Sequence, residues 1–427
     1  MVKRLHFLRF LFLFFLFLIA FGAHAQIEAV SILKPDRVFD GIDMHTGWVV
    51  VVSADSVAYV GPAASMPAIG PKGQAISLPG KTVLPGLIEG HSHLFLHPYN
   101  ETPWDDQVLK ESRAERTARA VNHARNTLRA GFTTVRDLGT EGAFYDDVGL
   151  KAAIRKGVIP GPNMLVATRA IVATGSYGPR SASDDVSLPK GAAEADGVEG
   201  LTHEIREQIG KGADVIKLYG DYRWGRSGEA MPTFTTEEMA QVVRVAGSSG
   251  RQVVVHASTA EGMRRAISAG VSTIEHGDDG DPSVFALMSQ KGVALCPTLA
   301  AGDAIERYRG WDGTAAHEPA RLAAKRVSFR QALEAGVRIC MGGDVGVFAH
   351  GDNAREMELM VEYGMKPLDV LRSATSVNAD VFGISDKAGR IRRGLPADLL
   401  IVDGDPSIEI KTIRKVVRVY KAGRPVE

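Results

Sequence analysis

The chain has 427 residues, 45% of them hydrophobic and 23% charged, with a formal net charge of zero. That length supports one large domain with a smaller companion around a sizeable core. The neutral balance removes the electrostatic reason to expect nucleic acid or a membrane surface as a partner.

Residues 1–25 stand apart from the rest. Lys3, Arg4 and Arg9 precede an apolar run over residues 10–21, and Ala23-His24-Ala25 forms a small-x-small cleavage site. The run is short for a membrane span, so a secretory signal is expected, with export to a periplasm or out of the cell. An uncleaved anchor is the competing reading. No later segment is long and apolar enough to span a bilayer, so no membrane partner is expected after cleavage.

Residues 30–70 alternate apolar and polar positions between turn signals, as in Trp48-Val-Val-Val-Val-Ser-Ala-Asp-Ser-Val-Ala-Tyr-Val60. Such runs predict short antiparallel strands. The same texture returns in Ala397-Asp-Leu-Leu-Ile-Val-Asp-Gly-Asp-Pro406 and Val416-Val-Arg-Val-Tyr-Lys-Ala-Gly423. These ends predict a small β-sandwich built from residues 26–82 and 389–427, flanking a central domain over residues 83–388.

The central domain alternates. Strands are predicted at 82–89, 133–137, 164–168, 215–219, 253–256, 273–276, 293–297 and 338–341. Helical periodicity fills most intervals, at 113–130, 237–247, 260–269 and 321–335. Ala130-Gly131, Ala269-Gly270 and Ala335-Gly336 place glycine where a left-handed C-cap ends a helix. Eight strand–helix alternations predict a (β/α)8 TIM-type barrel. An open doubly wound sheet is the alternative, but the glycine-rich phosphate turn that usually follows its first strand is missing. The non-periodic stretch 172–200 follows the third strand and reads either as a lid over the catalytic face or as an exposed insertion. Cys296 and Cys340 both fall in predicted core strands and are expected as buried free thiols.

Functional side chains of a barrel gather at the C-terminal ends of its strands. Those ends carry His91 and His93, then Lys217, His256, His276 and Asp344. His91 and His93 are two apart in an extended segment and so point to one side. Taken singly, each residue reads as an ordinary structural histidine or a snorkelling lysine. Six at strand ends, with none at strand starts, point to chemistry. Imidazoles and a carboxylate suit a zinc-like divalent ion. A lysine buried near positive charge loses basicity, and its neutral amine can capture carbon dioxide as a carbamate, an anionic ligand able to bridge two metals. Two ions about 3.5–4 Å apart would activate a bridging hydroxide and polarise a carbonyl. Asp344 would then shuttle the proton to the leaving amine.

The set resembles the amidohydrolase superfamily across nearly the whole mature chain. The resemblance rests on Pro85-Gly86-Leu87-Ile88 before His91-x-His93, the strand histidines, Asp344 and the C-terminal Ala397-Asp-Leu-Leu-Ile-Val-Asp403. It implies one metal held by His91, His93 and Asp344 and a second held by His256 and His276, bridged by carboxylated Lys217. It therefore implies two divalent ions, expected as zinc, with carbon dioxide as the carbamate, and the binuclear hydrolytic branch rather than the mononuclear deaminases. The stretch from Gly342 to Glu356, with Gly364-Met-Lys-Pro367, resembles the imidazolonepropionase-related subgroup. That subgroup holds prolidase-like dipeptidases, carboxypeptidase-type enzymes and bacterial ochratoxin A amidohydrolases. At Thr174-Gly-Ser-Tyr-Gly178 the chain departs from a Thr-Gly-Gly-His-Gly seen in many relatives, so Tyr177 implies a different pocket. The segment from Tyr219 to Arg226 looks more like the ochratoxin-hydrolysing members.

Beyond the Lys217 strand, Arg223 and Arg226 can form a fork for a substrate carboxylate, or surface salt bridges. Trp224 and Tyr222 can stack on an aromatic group. Tyr219 joins them as a substrate contact. Ser92 either reaches the pocket or is a small residue in a crowded turn. His350 is supporting, substrate-facing or structural, and His123 is expected on a solvated helix face. The expected activity is release of a C-terminal amino acid from dipeptides, N-acyl amino acids or ochratoxin-like amides, the substrate being a small molecule with a carboxylate next to the scissile amide. Two alternatives are a lactone, lactam or cyclic-amide hydrolase with the same metal site, and a non-catalytic barrel scaffold. Relatives imply a homo-oligomer.

Overall fold

The computed structural model describes residues 30–68, 73–180, 183 and 185–427. The expected leader over residues 1–25 lies outside them, as do positions 181, 182 and 184 of the long loop. Among the described residues, no helix is long and apolar enough to cross a membrane.

The two ends of the chain form one eight-stranded sheet. Gly73–Pro85 is its join, running parallel to Val30–Phe39 on one edge and antiparallel to Leu399–Asp403 on the other. Two facing sheets were expected. Through this strand, hydrogen bonds instead join the strands of both ends into one sheet. Its buried face has its own core, with Leu33, Val38, Val50, Val52, Val83, Leu399 and Ile401 in contact.

The run read as one strand over 82–89 is two. Gly73–Pro85 finishes the terminal sheet, and Leu87–Ser92 begins the central one. The chain changes sheets at Gly86, where a Cβ would lie 2.1 Å from Thr133 Oγ1, so no larger residue permits the crossing.

In the centre, Leu87–Ser92, Phe132–Asp137 and Asn163–Val166 are parallel neighbours. A second parallel set runs Val215–Tyr219, Gln252–Thr259, Thr273–Asp279 and Ala294–Cys296. Backbone bonds link the sets: Asp214 N to Val166 O at 2.8 Å on one side, and Cys340 N to Leu295 O and Gly90 N to Met341 O on the other. The strand predicted at 338–341 is reduced to isolated bridges, Leu295 to Ile339 and Ser92 to Val345. The left-handed backbone of Asp344, at φ 63°, breaks the extended run.

Helices separate the strands, and their ends follow local chemistry. Thr235 and Glu238 form a reciprocal capping box at the start of Thr236–Gly247. Gly270 closes Ala260–Ala269 in the left-handed conformation, as its position predicts. The main core lies between strands and helices, with Phe132, Ile216, Val255, Ile274, Phe285 and Phe329 buried. Each such side chain contributes about 1.5–3 kcal/mol. Cys296 and Cys340 are free and buried, as expected. The long loop is tied at its ends by a parallel pairing of Ala193–Glu194 with Ile171–Val172.

Candidate metal centre

Strand register brings the predicted ligands together. Tyr219 pairs with His256, and Ala257 with His276, so consecutive strands deliver their side chains at one level. The His91 ring centroid lies 5.3 Å from that of His93 and 5.2 Å from that of His276, and His256 and His276 are 4.3 Å apart. Asp344 Oδ1 is 3.6 Å from His91 Nε2 and 3.3 Å from His93 Nε2. One ligand atom from each of His91, His276 and Asp344 falls within 4.8 Å of the others, the spacing a single divalent ion needs. Two of these residues sit in strained backbone, His276 at φ 76° and Asp344 at φ 63°. Left-handed non-glycine residues cost about 1–3 kcal/mol and persist where neighbours over-determine them. Here Lys325 Nζ bonds the His276 carbonyl at 2.5 Å, and Asp344 N bonds the His91 carbonyl at 2.9 Å.

Each ring is oriented from behind. His91 Nδ1 faces Glu275 Oε2 at 2.9 Å, His93 Nδ1 donates to the Gly139 carbonyl at 2.9 Å, and His276 Nδ1 meets Thr298 Oγ1 at 2.8 Å. These contacts leave the Nε2 atoms of the three rings for an ion. His256 presents Nε2 3.8 Å from Asp221 Oδ1.

Lys217 is the odd member. It is 1% exposed, and its Nζ has no hydrogen-bond partner. Burial lowers its pKa to about 8 against the opposing charges of Glu275 and Asp344. Burial also lowers His91 to about 4 and His256 to about 3, in both cases with help from the Lys217 charge. His93 moves the other way. Burial pulls it down, but the hydrogen bond to Asp344 and that residue's charge prevail and raise it to about 9. Burial alone would raise Asp344, yet His91, His93 and Lys217 hold its carboxyl well below the usual range. An unpartnered buried amine amid four imidazoles and a carboxylate matches what a carboxylated lysine and divalent ions require.

The supporting layer was missed in the sequence. Arg136, fully buried, bonds the Gly90 carbonyl at 2.7 Å and Glu275 Oε1 at 2.8 Å, so Glu275 bridges Arg136 and His91. Glu89 accepts from His91 N, Gly343 N and Asn353 Nδ2, and burial, the largest influence, raises its pKa to about 7 despite these bonds. One signal was available: Glu89, Arg136 and Glu275 are charged residues inside apolar parallel strands, where only paired charges survive.

The expected substrate contacts divide. Tyr177, Tyr219 and Tyr222 join the cluster: Tyr219 stacks on His256 at 4.5 Å, and Tyr177 lies 4.9 Å from Tyr219 and 5.0 Å from Tyr222. Arg223, Trp224 and Arg226 do not. They are exposed on the hairpin of Asp221–Arg223 and Ala230–Pro232, with Trp224 48% exposed and Arg223 resting over Tyr222 at 6.0 Å. Ser92 is buried with an unpartnered Oγ, between His91 and His93 in the chain and thus on the opposite side of the extended segment. His350 is buried, bonded through Nε2 to the Leu96 carbonyl and stacked on His123 at 4.3 Å. His123 is half-buried rather than solvated, because it reaches inward to the Leu94 carbonyl at 2.7 Å.

Residues 82–426 match the sequence profile of the amidohydrolase family. Ochratoxinase of Aspergillus niger is 28% identical over 410 residues, which cover 88% of this chain and 82% of that protein. A solved Xaa-Pro dipeptidase with methionine bound in its active site aligns with a TM-score of 0.82 at 31% identity, over 93% of this chain and all of that one. The crystal structure of A. niger ochratoxinase aligns with a TM-score of 0.77 at 26% identity, over 93% of this chain and 95% of that one. Such neighbours imply a TIM barrel with a small domain.

Proposed function

The chain belongs to the amidohydrolase family and is a hydrolase of amide or peptide bonds; from that premise we propose a binuclear metal-dependent enzyme that releases a C-terminal amino acid from dipeptides, N-acyl amino acids or ochratoxin-like amides. In this reading the eight strand positions close as a (β/α)8 barrel. His91, His93 and Asp344 would hold one ion and His256 and His276 a second, with carboxylated Lys217 as a further ligand and zinc as the expected metal. Such a pair of ions supplies an acidified water and a polarised carbonyl. The protein supplies the rest. Asp344, ionised at neutral pH, would take a proton on the carboxylate oxygen not engaged by the ion and return it to the leaving amine nitrogen. Glu275, Gly139 and Thr298 hold three imidazoles in register. Tyr177 and Tyr219, both buried, form one wall of the pocket and keep bulk water away.

One observation carries the reading: Lys217 is buried without a hydrogen-bond partner, close enough to His91, His256, His276 and Asp344 for its charge to act on each. A lysine kept so is destabilising unless its amine is modified or ligated. The test uses metal-replete protein and a panel of Xaa-Pro, Xaa-Arg and Xaa-Phe dipeptides, N-acyl amino acids and ochratoxin A. Wild type should release one class of amino acid. Lys217→Ala should lose more than about 100-fold, since partners that merely orient ligands already cost about 10–100-fold. Metal uptake by chelated wild type should depend on bicarbonate and that of Lys217→Ala should not. Full activity in Lys217→Ala would overturn the assignment.

A further inference from the structure

Glu141 is a buried acid at this site to which the proposed reaction gives no task. It lies just beyond the strand Phe132–Asp137, 2% exposed, with its backbone held at φ 49°. Arg116 enforces that conformation by donating to the carbonyls of Glu141 at 2.6 Å, Thr140 at 2.9 Å and Phe95 at 3.0 Å. Those bonds go to carbonyls, so Arg116 balances the Glu141 charge from a distance and leaves the carboxylate oxygens to other partners. Oε2 accepts from Tyr177 Oη at 2.6 Å and Trp104 Nε1 at 3.0 Å. Oε1 is buried and accepts nothing. Leaving an acceptor unpaired costs about 1–3 kcal/mol, a penalty that a ligand donor would remove.

The position of Oε1 limits what that donor can be. A Cβ placed on Gly139 would lie 3.4 Å from Glu141 Oε1 and 3.7 Å from His93 Cε1, so the orphan oxygen and a metal-ligand ring border the same small space. Ala170 Cβ, 3.8 Å from the same point, is the third neighbour of that space, while Trp104 and Tyr222, packed on Tyr177 at 5.1 and 5.0 Å, place aromatic rings about the carboxylate on its Oε2 side. A carboxylate among aromatic rings favours an ammonium, through a charge-assisted hydrogen bond and cation–π attraction. In a dipeptide the α-amino nitrogen is two bonds from the scissile carbonyl carbon, so its acceptor must border the metal cluster, as Glu141 does.

We propose that Glu141 Oε1 receives the free α-ammonium of the substrate, which makes unblocked dipeptides, rather than N-acylated amino acids, the preferred class. The proposal rests on the hydrolase reading above and narrows it.

The test compares leucyl-phenylalanine with 4-methylpentanoyl-phenylalanine, the same amide without the amino group, in wild type and Glu141→Gln. Wild type should favour the dipeptide at least tenfold in kcat/KM, chiefly through KM. Glu141→Gln keeps an acceptor for Trp104 and Tyr177 but loses the charge, and should lower the dipeptide rate at least tenfold more than that of the analogue. A wild-type preference for the analogue, or an undiminished dipeptide preference in Glu141→Gln, overturns the proposal. Should Glu141→Gln fail to fold, the wild-type ratio alone decides. Calorimetric binding of both compounds separates the two readings. If neither is cleaved, yet the dipeptide binds more tightly and Glu141→Gln removes the difference, the hydrolase reading falls and the ammonium site stands. Equal binding in that case sinks both.

Discussion

Lys217 and Arg223 belong to one short stretch of chain and meet opposite fates. Lys217 sits in Val215–Tyr219, a strand hydrogen-bonded to Gln252–Thr259 along its whole length, and is sealed in without a hydrogen-bond partner. Arg223 sits on a two-stranded hairpin that pairs only with itself, and it is exposed. Ladder register fixes where a strand residue points, to within the pleat, before any side chain is chosen. A hairpin outside the main sheet has no such constraint, so residue type there says little about position. The difference predicts that substitutions around the ligand strands act on stability and pH response, while those on the hairpin leave both nearly untouched.

The sharpest way to break that contrast is Arg136→Met. Arg136 holds Gly90 and Thr273 as well as Glu275, beneath the strand ends that carry His91 and His276. Removing it strands a buried carboxylate that the Arg136 charge and the His91 hydrogen bond keep ionised against its own burial. Breaking a buried pair from one side costs about 3–5 kcal/mol. The expected outcome is a drop of that size in unfolding free energy by denaturant titration. A change under about 1 kcal/mol would mean the layer under the site carries little of the stability assigned to buried pairs.

A smaller effect separates the regions by pH. Glu356, fully buried beside Ala300, has its pKa raised to about 8 by burial, against the pull of backbone bonds from Ala300 and Leu299. The folded carboxyl therefore keeps its proton up to about pH 8, while the unfolded one releases it near 4.5. Between those values the unfolded state binds fewer protons, so this group's contribution falls as pH rises and is fully present only below about 4.5. Glu356→Gln should flatten the decline in stability between pH 5 and pH 8 by at least about 1 kcal/mol, since one pKa unit is worth about 1.4 kcal/mol. Identical pH–stability curves for the two proteins would place Glu356 outside the response.

What could be read from the sequence follows the same division. The strand predicted at 215–219 has the bounds observed, and the side chains of His91, His93, His256, His276 and Asp344 come together, because each element announces itself through an apolar run, a cap or a turn. Arg136 and Glu275 are 139 residues apart, so their pairing left no local pattern, only two charges in apolar strands. Glu141 was invisible for another reason. It follows its strand in a loop, and the left-handed backbone that turns it inward depends on Arg116, a residue of a preceding helix. The division at Gly86 was missed because residues 82–89 are apolar enough to read as one strand; the close approach of Thr133 that splits them is tertiary.

The hairpin arginines give the smallest expected effects and the cleanest test of the contrast. Arg223 and Arg226 are exposed, and the Arg223 guanidinium rests over Tyr222 at a distance where a cation–π contact is worth about 0.5–1 kcal/mol. Arg223→Ala should change stability by no more than about that amount, and Arg226→Ala by less than about 0.5 kcal/mol, the usual range for surface substitutions. Their effect on catalysis discriminates further. If the hairpin stays where it is during turnover, each variant should alter kcat/KM by only a few-fold, with kcat unchanged. A tenfold or larger rise in KM for a substrate carboxylate, absent when that carboxylate is amidated, would mean the hairpin folds over the pocket and an arginine reaches the substrate as a bidentate partner. In that event the loop would owe its position to the ligand, as Lys217 owes its own to the sheet.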